Sequence, residues 1–192
     1  MRQPGDRSPA PGPLALVQDL LNTVDIEAGR DRLRTIAELT AFAAAHDAAG
    51  LSFTDSDVTE TRRFREALRD ACRGHAGSEV PAASAAALRY TLGTSPLLLT
   101  IDGTGAARAV PATGLGGSAA LIAGVAAAIL NAATAGTWPR LKACAAHRCQ
   151  WVYYDHSPAG RGRWCTMSIC GSRAKMRAYR AGRSATRSGP AA

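Results

Sequence analysis

The sequence predicts a mainly α domain carrying one β-hairpin, an α+β class, followed by a small C-terminal module stapled at four cysteines. Three observations predict it. Apolar residues recur at helical spacing through most of the chain up to Gly136. Residues 97–111 place two strand-like runs on either side of an Asp-Gly-Thr-Gly turn. Four of the five cysteines fall in CAAHRCQWVYYDHSPAGRGRWCTMSIC, residues 144–170.

With 192 residues and 46% hydrophobic content, the chain has room for one full domain and a small module. No run of eighteen or more apolar residues occurs, so no membrane span is expected. The opening MRQPGDRSPAPGP is proline-rich with charge of both signs, and residues 1–12 read as a disordered lead-in. LALVQDLLNTVD is interrupted by Gln18 and Asp19 and makes a poor signal-peptide core, so a cytoplasmic protein is expected. Lys142 and Lys175 are the only lysines, a preference for arginine that fits a GC-rich bacterial genome.

The elements follow in order. Leu14 to Val24 reads as a short helix. Asp31 is placed as the N-cap of a helix reaching Ala49, with Leu33, Ile36, Leu39 and Phe42 inward and Gly50 as its stop. A third helix should span Ser56 to Gly74, with Val58, Thr61, Phe64, Leu68, Ala71 and Cys72 on one stripe. Its other face, Arg62, Arg65, Glu66, Arg69 and Arg73, reads as solvated surface. Pro81 suits the first turn of a helix through Leu92, closed by Gly93. After the hairpin, Gly114, Gly116 and Gly117 form a hinge, because no lysine–serine pair follows to make a phosphate loop. An alanine-rich helix then runs to about Gly136. It could pack within its own domain or against a second copy, and a homodimer is open. This first domain covers 13–137.

The remaining segment, 138–183, is organised by Cys144, Cys149, Cys165 and Cys170, two C-x4-C pairs. Three chemistries use four cysteines. A tetrahedral Zn2+ site matches four thiolates to a borderline-soft ion. Disulfides do not persist among reducing thiols, and iron–sulfur clusters use differently grouped cysteines. Zinc fits best. Cys72, on the buried stripe, reads as a small core residue. Gln150–Asp155 is strand-like, Ser157–Gly162 is a turn, and Arg163-Trp164 is the expected returning strand. Ser172 is placed as the N-cap of a basic helix. Knuckle, hairpin and helix together make a treble-clef-like zinc finger, closed at its metal and folded by it. Trp151, Tyr153, Tyr154 and Trp164 supply its small core, and His147 and His156 read as surface residues. Residues 184–192 form a disordered tail.

Charge is asymmetric. From Arg140 onward eleven basic residues face one acid, Asp155, leaving +10, whereas the first 139 residues carry −2. A basic part of this kind faces a polyanion. Arg173, Arg177 and Arg180 share one helical face, with Lys175 round the side and Arg161 and Arg163 on the hairpin. One basic helical face suits a groove of double-stranded DNA. The rival is a zinc-stabilised module for protein or RNA. No nucleophile–base motif lies near His46 or His75, so an enzyme is not expected.

These residues carry a resemblance. Cys-x4-Cys-x-Trp-Val-Tyr-Tyr-Asp followed by Arg-Trp-Cys-x4-Cys-Gly-Ser-Arg-Ala-Lys resembles the CGNR zinc finger over about residues 138–181. In that family the finger follows an ABATE domain associated with transcription regulation. Leu-Leu-Asn-Thr-Val-Asp at 20–25, the helical middle and the hairpin before a long helix resemble that domain. The resemblance implies zinc as metal and DNA as partner. Read as a regulator, the chain would use its N-terminal domain to sense a signal, a small-molecule effector being one candidate, or to dimerise. Asn22-Thr23 either lines an effector pocket or caps a turn. One departure stands out: the family's Cys-Gly-Asn-Arg is here Cys170-Gly171-Ser172-Arg173.

Overall fold

The structure, a computed structural model, describes residues 7–187. Helices build its first part: α1 (Leu14–Leu21), α2 (Ile36–Ala44), α3 (Asp55–Gly74), α4 (Ala82–Gly93) and α5 (Gly117–Thr134). Two antiparallel ribbons interrupt them, β1–β2 (Val24–Asp25 with Arg30–Asp31) and β3–β4 (Leu97–Ile101 with Ala107–Pro111). The C-terminal part holds β5 (Leu141–Ala143), β6 (Val152–Tyr154), a π turn (Met167–Gly171) and α6 (Ser172–Arg187). The α+β class is as expected.

The β3–β4 hairpin falls where the sequence places it, pairing Leu97 with Pro111 through Ile101 with Ala107. Asp102 explains the turn: its Oδ1 accepts from the backbone of Thr104 at 2.9 Å and Ala106 at 3.1 Å. α3 also matches, opened by a capping box in which Thr54 and Asp57 satisfy each other's backbone. Asp57 reaches further, accepting from Ser118 N at 2.7 Å to fix the start of α5. Gly117 sits there at φ 54, where a Cβ would meet Asp57 Oδ1 at 2.5 Å. By length and mean hydropathy of 1.6, α5 could cross a membrane, but half of it is buried in the fold. Leu121, Ile122 and Val125 make it the central helix of the core.

Two expectations about these helices need correction. The second helix starts from Thr35, not Asp31, and ends at Ala44. Thr35 and Glu38 form a reciprocal capping box, which satisfies two orphan donors and outcompetes a lone aspartate. The second error concerns α3, whose arginine face is not all solvated, because Arg65 and Arg69 are each 2% exposed. Arg65 grips Asp31 with both terminal nitrogens, at 2.7 and 2.9 Å, and donates to Thr23 Oγ1 at 3.0 Å. Arg69 donates to the carbonyls of Leu21 and Gln150, the latter at 3.0 Å. Guanidinium forks tolerate burial when each N–H finds an acceptor.

The C-terminal ribbon differs too. β6 pairs antiparallel with β5, and no strand forms at Arg163-Trp164. Alternation decides this. Leu141, Ala143, Val152 and Tyr154 face the main helical core, whereas Tyr153 faces the thiols. The core therefore continues across residue 138. Asn22 locks the junction by acting as a strand partner: Val152 N donates to its Oδ1 at 2.8 Å, and its Nδ2 donates to Val152 O at 2.7 Å. Gln18 Nε2 adds a bond to the same carbonyl at 3.2 Å.

Both ends of the chain are more ordered than expected where they are described. Arg7, placed in the lead-in, stacks 4.7 Å over the Tyr153 ring and donates to Cys165 O at 2.5 Å. Ala10 is buried and bonds Gln18. The last helix continues to Arg187, past the expected end at 183, while residues 1–6 and 188–192 lie outside the described residues.

A core shared across residue 138 should unfold as one unit. Trp138, Trp151 and Trp164 report the C-terminal part, and far-UV circular dichroism reports chiefly the helices before it. Urea unfolding of the metal-loaded chain should give coincident transitions by both probes. Asn22→Ala, which leaves the buried Val152 N–H unpaired, should lower both midpoints together, by about 2–3 kcal/mol. A fluorescence transition at lower urea than the dichroism would show a separable module.

Candidate metal centre and basic face

The four cysteines reach one point from four local structures. Cys144 follows β5, its N–H bonded to Trp151 O at 2.9 Å. A tight turn brings Cys149 back, with bonds from Cys149 N and Gln150 N to Ala146 O and Gln150 at φ 51. Cys165 follows the 156–164 loop. Cys170 is carried by the π turn, which runs straight into α6. Ser172 is therefore not a cap. It is the first residue of α6, and its Oγ donates back to Met167 O at 3.1 Å.

All four Sγ atoms lie within 4.8 Å of one another, with Cys149–Cys165 at 3.6 Å and Cys165–Cys170 at 3.7 Å. A tetrahedron with metal–sulfur bonds of about 2.3 Å has edges of about 3.8 Å, so these separations suit a single ion. They exceed the S–S bond of about 2.05 Å by far, and all five cysteines are free thiols. A [4Fe–4S] cluster, whose thiolates end on separate irons, would hold them farther apart. Cys72 stays apart on α3, fully buried, and burial pushes its thiol up to about 12.

Crowding also argues for a cation. Hydrogen bonds from Cys149 and Cys165 pull the Cys144 thiol down, and that same thiolate pushes both neighbours up. Four thiols this close cannot all ionise unless a positive ion joins them. The donor set fits a metal site. His147 and His156 are not among the clustered ligands: His156 meets the Tyr154 ring edge-on, with ring centroids 4.7 Å apart.

Beside the thiols lies an ion pair that sequence reading missed. Lys142 and Asp155, 4% and 1% exposed, meet at 3.1 Å. Lys142 Nζ also donates to the carbonyls of Gly160 and Gly162, and Asp155 accepts from Gly162 N at 2.7 Å and Ser157 Oγ at 2.7 Å. Together they hold the 156–164 loop. The alternation of Lys142 with Leu141 and Ala143 was the available signal.

All six basic residues singled out in the sequence are exposed. Arg173 and Arg177 border a cleft of about 1120 Å³ whose far wall is His147, Arg148, Gln150 and the Ile26-Glu27 turn. Arg180 continues their row beside Met176. Lys175 is turned about 200° from Arg173, to the opposite side of α6. Arg161 and Arg163 stand on the 156–164 loop, Arg163 lying 5.6 Å over the Trp164 ring. Arg173 already has a partner: its Nη1 meets Glu27 Oε1 at 2.6 Å. Arg148, next to Cys149, was overlooked in the sequence. Of the Asn22-Thr23 pair, Thr23 lines a cleft of about 520 Å³ with Asp19, Arg32, Glu38, Phe42 and His46, while the Asn22 amide is bonded to Val152.

A helical core joined to a closed four-thiol module with a projecting basic helix defines a protein of the zinc-finger class. The chain belongs to the ABATE family, whose model, described as "Putative stress-induced transcription regulator", matches residues 14–148. The CGNR zinc finger model matches residues 140–183. The two overlap across β5 and the first knuckle, the segment that the core and the thiols share. No curated protein matches the chain.

The buried pair gives a pH signature. Burial pushes Asp155 up, but bonds from Ser157, Lys142 and Gly162 more than reverse it and hold its carboxyl at about 2. Its ionised form therefore stabilises the fold fully above the unfolded carboxyl value near 4, and this is lost as pH falls through about 2. Asp155→Asn leaves Lys142 buried without its counterion and should cost about 3–5 kcal/mol at neutral pH. The gap between wild type and variant in urea titrations should narrow as pH falls from 4 towards 2.

Proposed function

We propose that the chain is a zinc-dependent, DNA-binding transcription regulator. The observation that carries this reading is the exposed row Arg173, Arg177 and Arg180 on a helix projecting from a closed thiol cage. Cys144, Cys149, Cys165 and Cys170 would hold the Zn2+, leaving no position for substrate. The ion would add stability where the helical core does not reach, by holding the knuckle, the 156–164 loop and the start of α6 together. The family description supports regulation, and the +10 charge after residue 139 supports a polyanionic partner. The N-terminal domain would receive a signal or dimerise, and the cleft of Thr23, Arg32 and His46 offers a small effector a place. A cytoplasmic, bacterial protein fits this role.

A second reading has one observation behind it. Met176 and Tyr179, 50% and 57% exposed, interleave with the arginines. Such a surface also suits a protein, or single-stranded RNA stacked on the tyrosine.

Zinc is tested first. One ion per chain is expected by metal analysis, lost in Cys165→Ser and retained in Cys72→Ser. Iron in an anaerobic preparation would replace the zinc assignment.

DNA binding is tested by fluorescence anisotropy with duplexes selected by the zinc-loaded protein. With about five phosphates neutralised, log K should fall against log salt with a slope of about −4 to −5. Arg173→Ala or Arg177→Ala should weaken the selected duplex by about 10- to 100-fold and relax one base pair. Arg161→Ala should weaken all duplexes alike and flatten the slope by about one. Glu27→Gln releases Arg173 and removes a facing negative charge, so affinity should rise by about 2- to 5-fold. Absence of duplex binding at low salt by folded, zinc-loaded protein would end the DNA reading and favour the interaction module.

A further inference from the structure

The β3–β4 hairpin has two edges, and the chain treats them differently. Bonds from Ala112 N to Pro96 O and from Asp102 N to Ala106 O set the phase of the ladder. The backbone groups of Leu98 and Thr100 therefore point at β4, while those of Leu97, Leu99 and Ile101 point outward. On the β4 side the middle and far end of the matching edge are closed. Asn131 bonds both Ala109 N and Ala109 O at 3.2 Å, and Pro111 has no N–H to offer. On the β3 side no partner occurs among the described residues.

That open edge is also apolar. Leu98, Leu99 and Ile101 are 46%, 73% and 68% exposed, and the strand Leu97–Ile101 contains no charged residue. Tyr90 and Leu92, in the last turn of α4 just ahead of β3, are exposed as well. Monomeric proteins blunt an edge of this kind with a charge, a proline or a bulge. Here only β4 is blunted.

We infer that the chain dimerises through β3, two copies pairing edge to edge and antiparallel about a two-fold axis at Leu99. The strand is self-complementary in that register: Leu99 meets Leu99 of the second copy, and Leu97 meets Ile101. Every outward N–H and C=O then gains a partner, and no like charges are brought together. Charge favours the same end of the molecule. The first 139 residues carry −2, so two copies can meet there, whereas the +10 C-terminal segments would repel. The result is a four-stranded ribbon with the two fingers on opposite flanks, the symmetry needed to meet two half-sites. This purpose rests on the regulator reading; the dimer itself does not, and its test is made without DNA.

The test is the solution mass of the full zinc-loaded chain by sedimentation or light scattering over a concentration series. Wild type should reach twice 19.9 kDa at tens of micromolar. Leu99→Pro removes an outward N–H that β4 does not use, and Ile101→Lys puts a charge on the edge. Both should fall to 19.9 kDa with unchanged far-UV circular dichroism. Ile101→Lys alters an exposed side chain and keeps the test sound if the proline variant fails to fold. A wild-type chain that stays at 19.9 kDa overturns the inference and leaves a strand of another protein as the occupant of the edge. A dimer that persists in a folded Ile101→Lys variant overturns it too, by placing the interface elsewhere.

Discussion

Buried peptide groups must be paired, and the way this chain pairs those of Val152 organises its second half. Asn22 presents one amide donor and one carbonyl acceptor, the same pair a neighbouring strand would offer, and meets both groups of Val152. With β6 held there, Val152 and Tyr154 complete the helical core while Tyr153 turns towards the thiols. Arg69, buried in α3, ties the end of α1 to the knuckle carbonyl of Gln150. The frame on which Cys144 and Cys149 stand is thus laid down by the N-terminal helices. A metal closes that frame instead of creating it from nothing.

The basic residues divide into two kinds by what satisfies them. Arg65, Arg69 and Lys142 are inside, each surrounded by carboxylates and carbonyls that match its donors. Such groups contribute geometry, because a fork with several acceptors has one fitting position. Arg173, Arg177, Arg180 and Arg183 of α6 are outside, and Arg173 meets Glu27 in an exposed contact. Net charge alone does not separate these populations.

What the sequence reveals follows the range of the interaction concerned. The β3–β4 hairpin is set by Asp102 and its turn, a local device, and its full register is readable. The four thiols are recognisable because few chemistries use that residue type in that grouping. The start of α2 is also local, but aspartate and threonine are both good cap types, and it is the reciprocal Thr35–Glu38 pair that places the helix four residues after Asp31. Arg65 and Arg69 were unreadable for a deeper reason. Their partners Asp31 and Gln150 lie 34 and 81 residues away, and helical periodicity ranks side chains by polarity alone. The pairing of β5 with β6 was hidden likewise, because the returning strand lies before the first cysteine and its pairing depends on the helical core beneath it.

The π turn from Met167 to Gly171 has a consequence for direction. Each residue of an α-helix advances the azimuth by about 100°, and a π turn takes up one residue more than an α turn. The interval between Cys165 and Cys170 is therefore a rotational setting as well as a ligand spacing. In this setting Cys170 points into the cage while Arg173 comes to face Glu27 and the knuckle. A chain one residue shorter here could still close four sulfurs round an ion, yet its arginine row would look out in another direction. The thiols thus index the helix: they determine the bearing on which the basic face leaves the body of the protein.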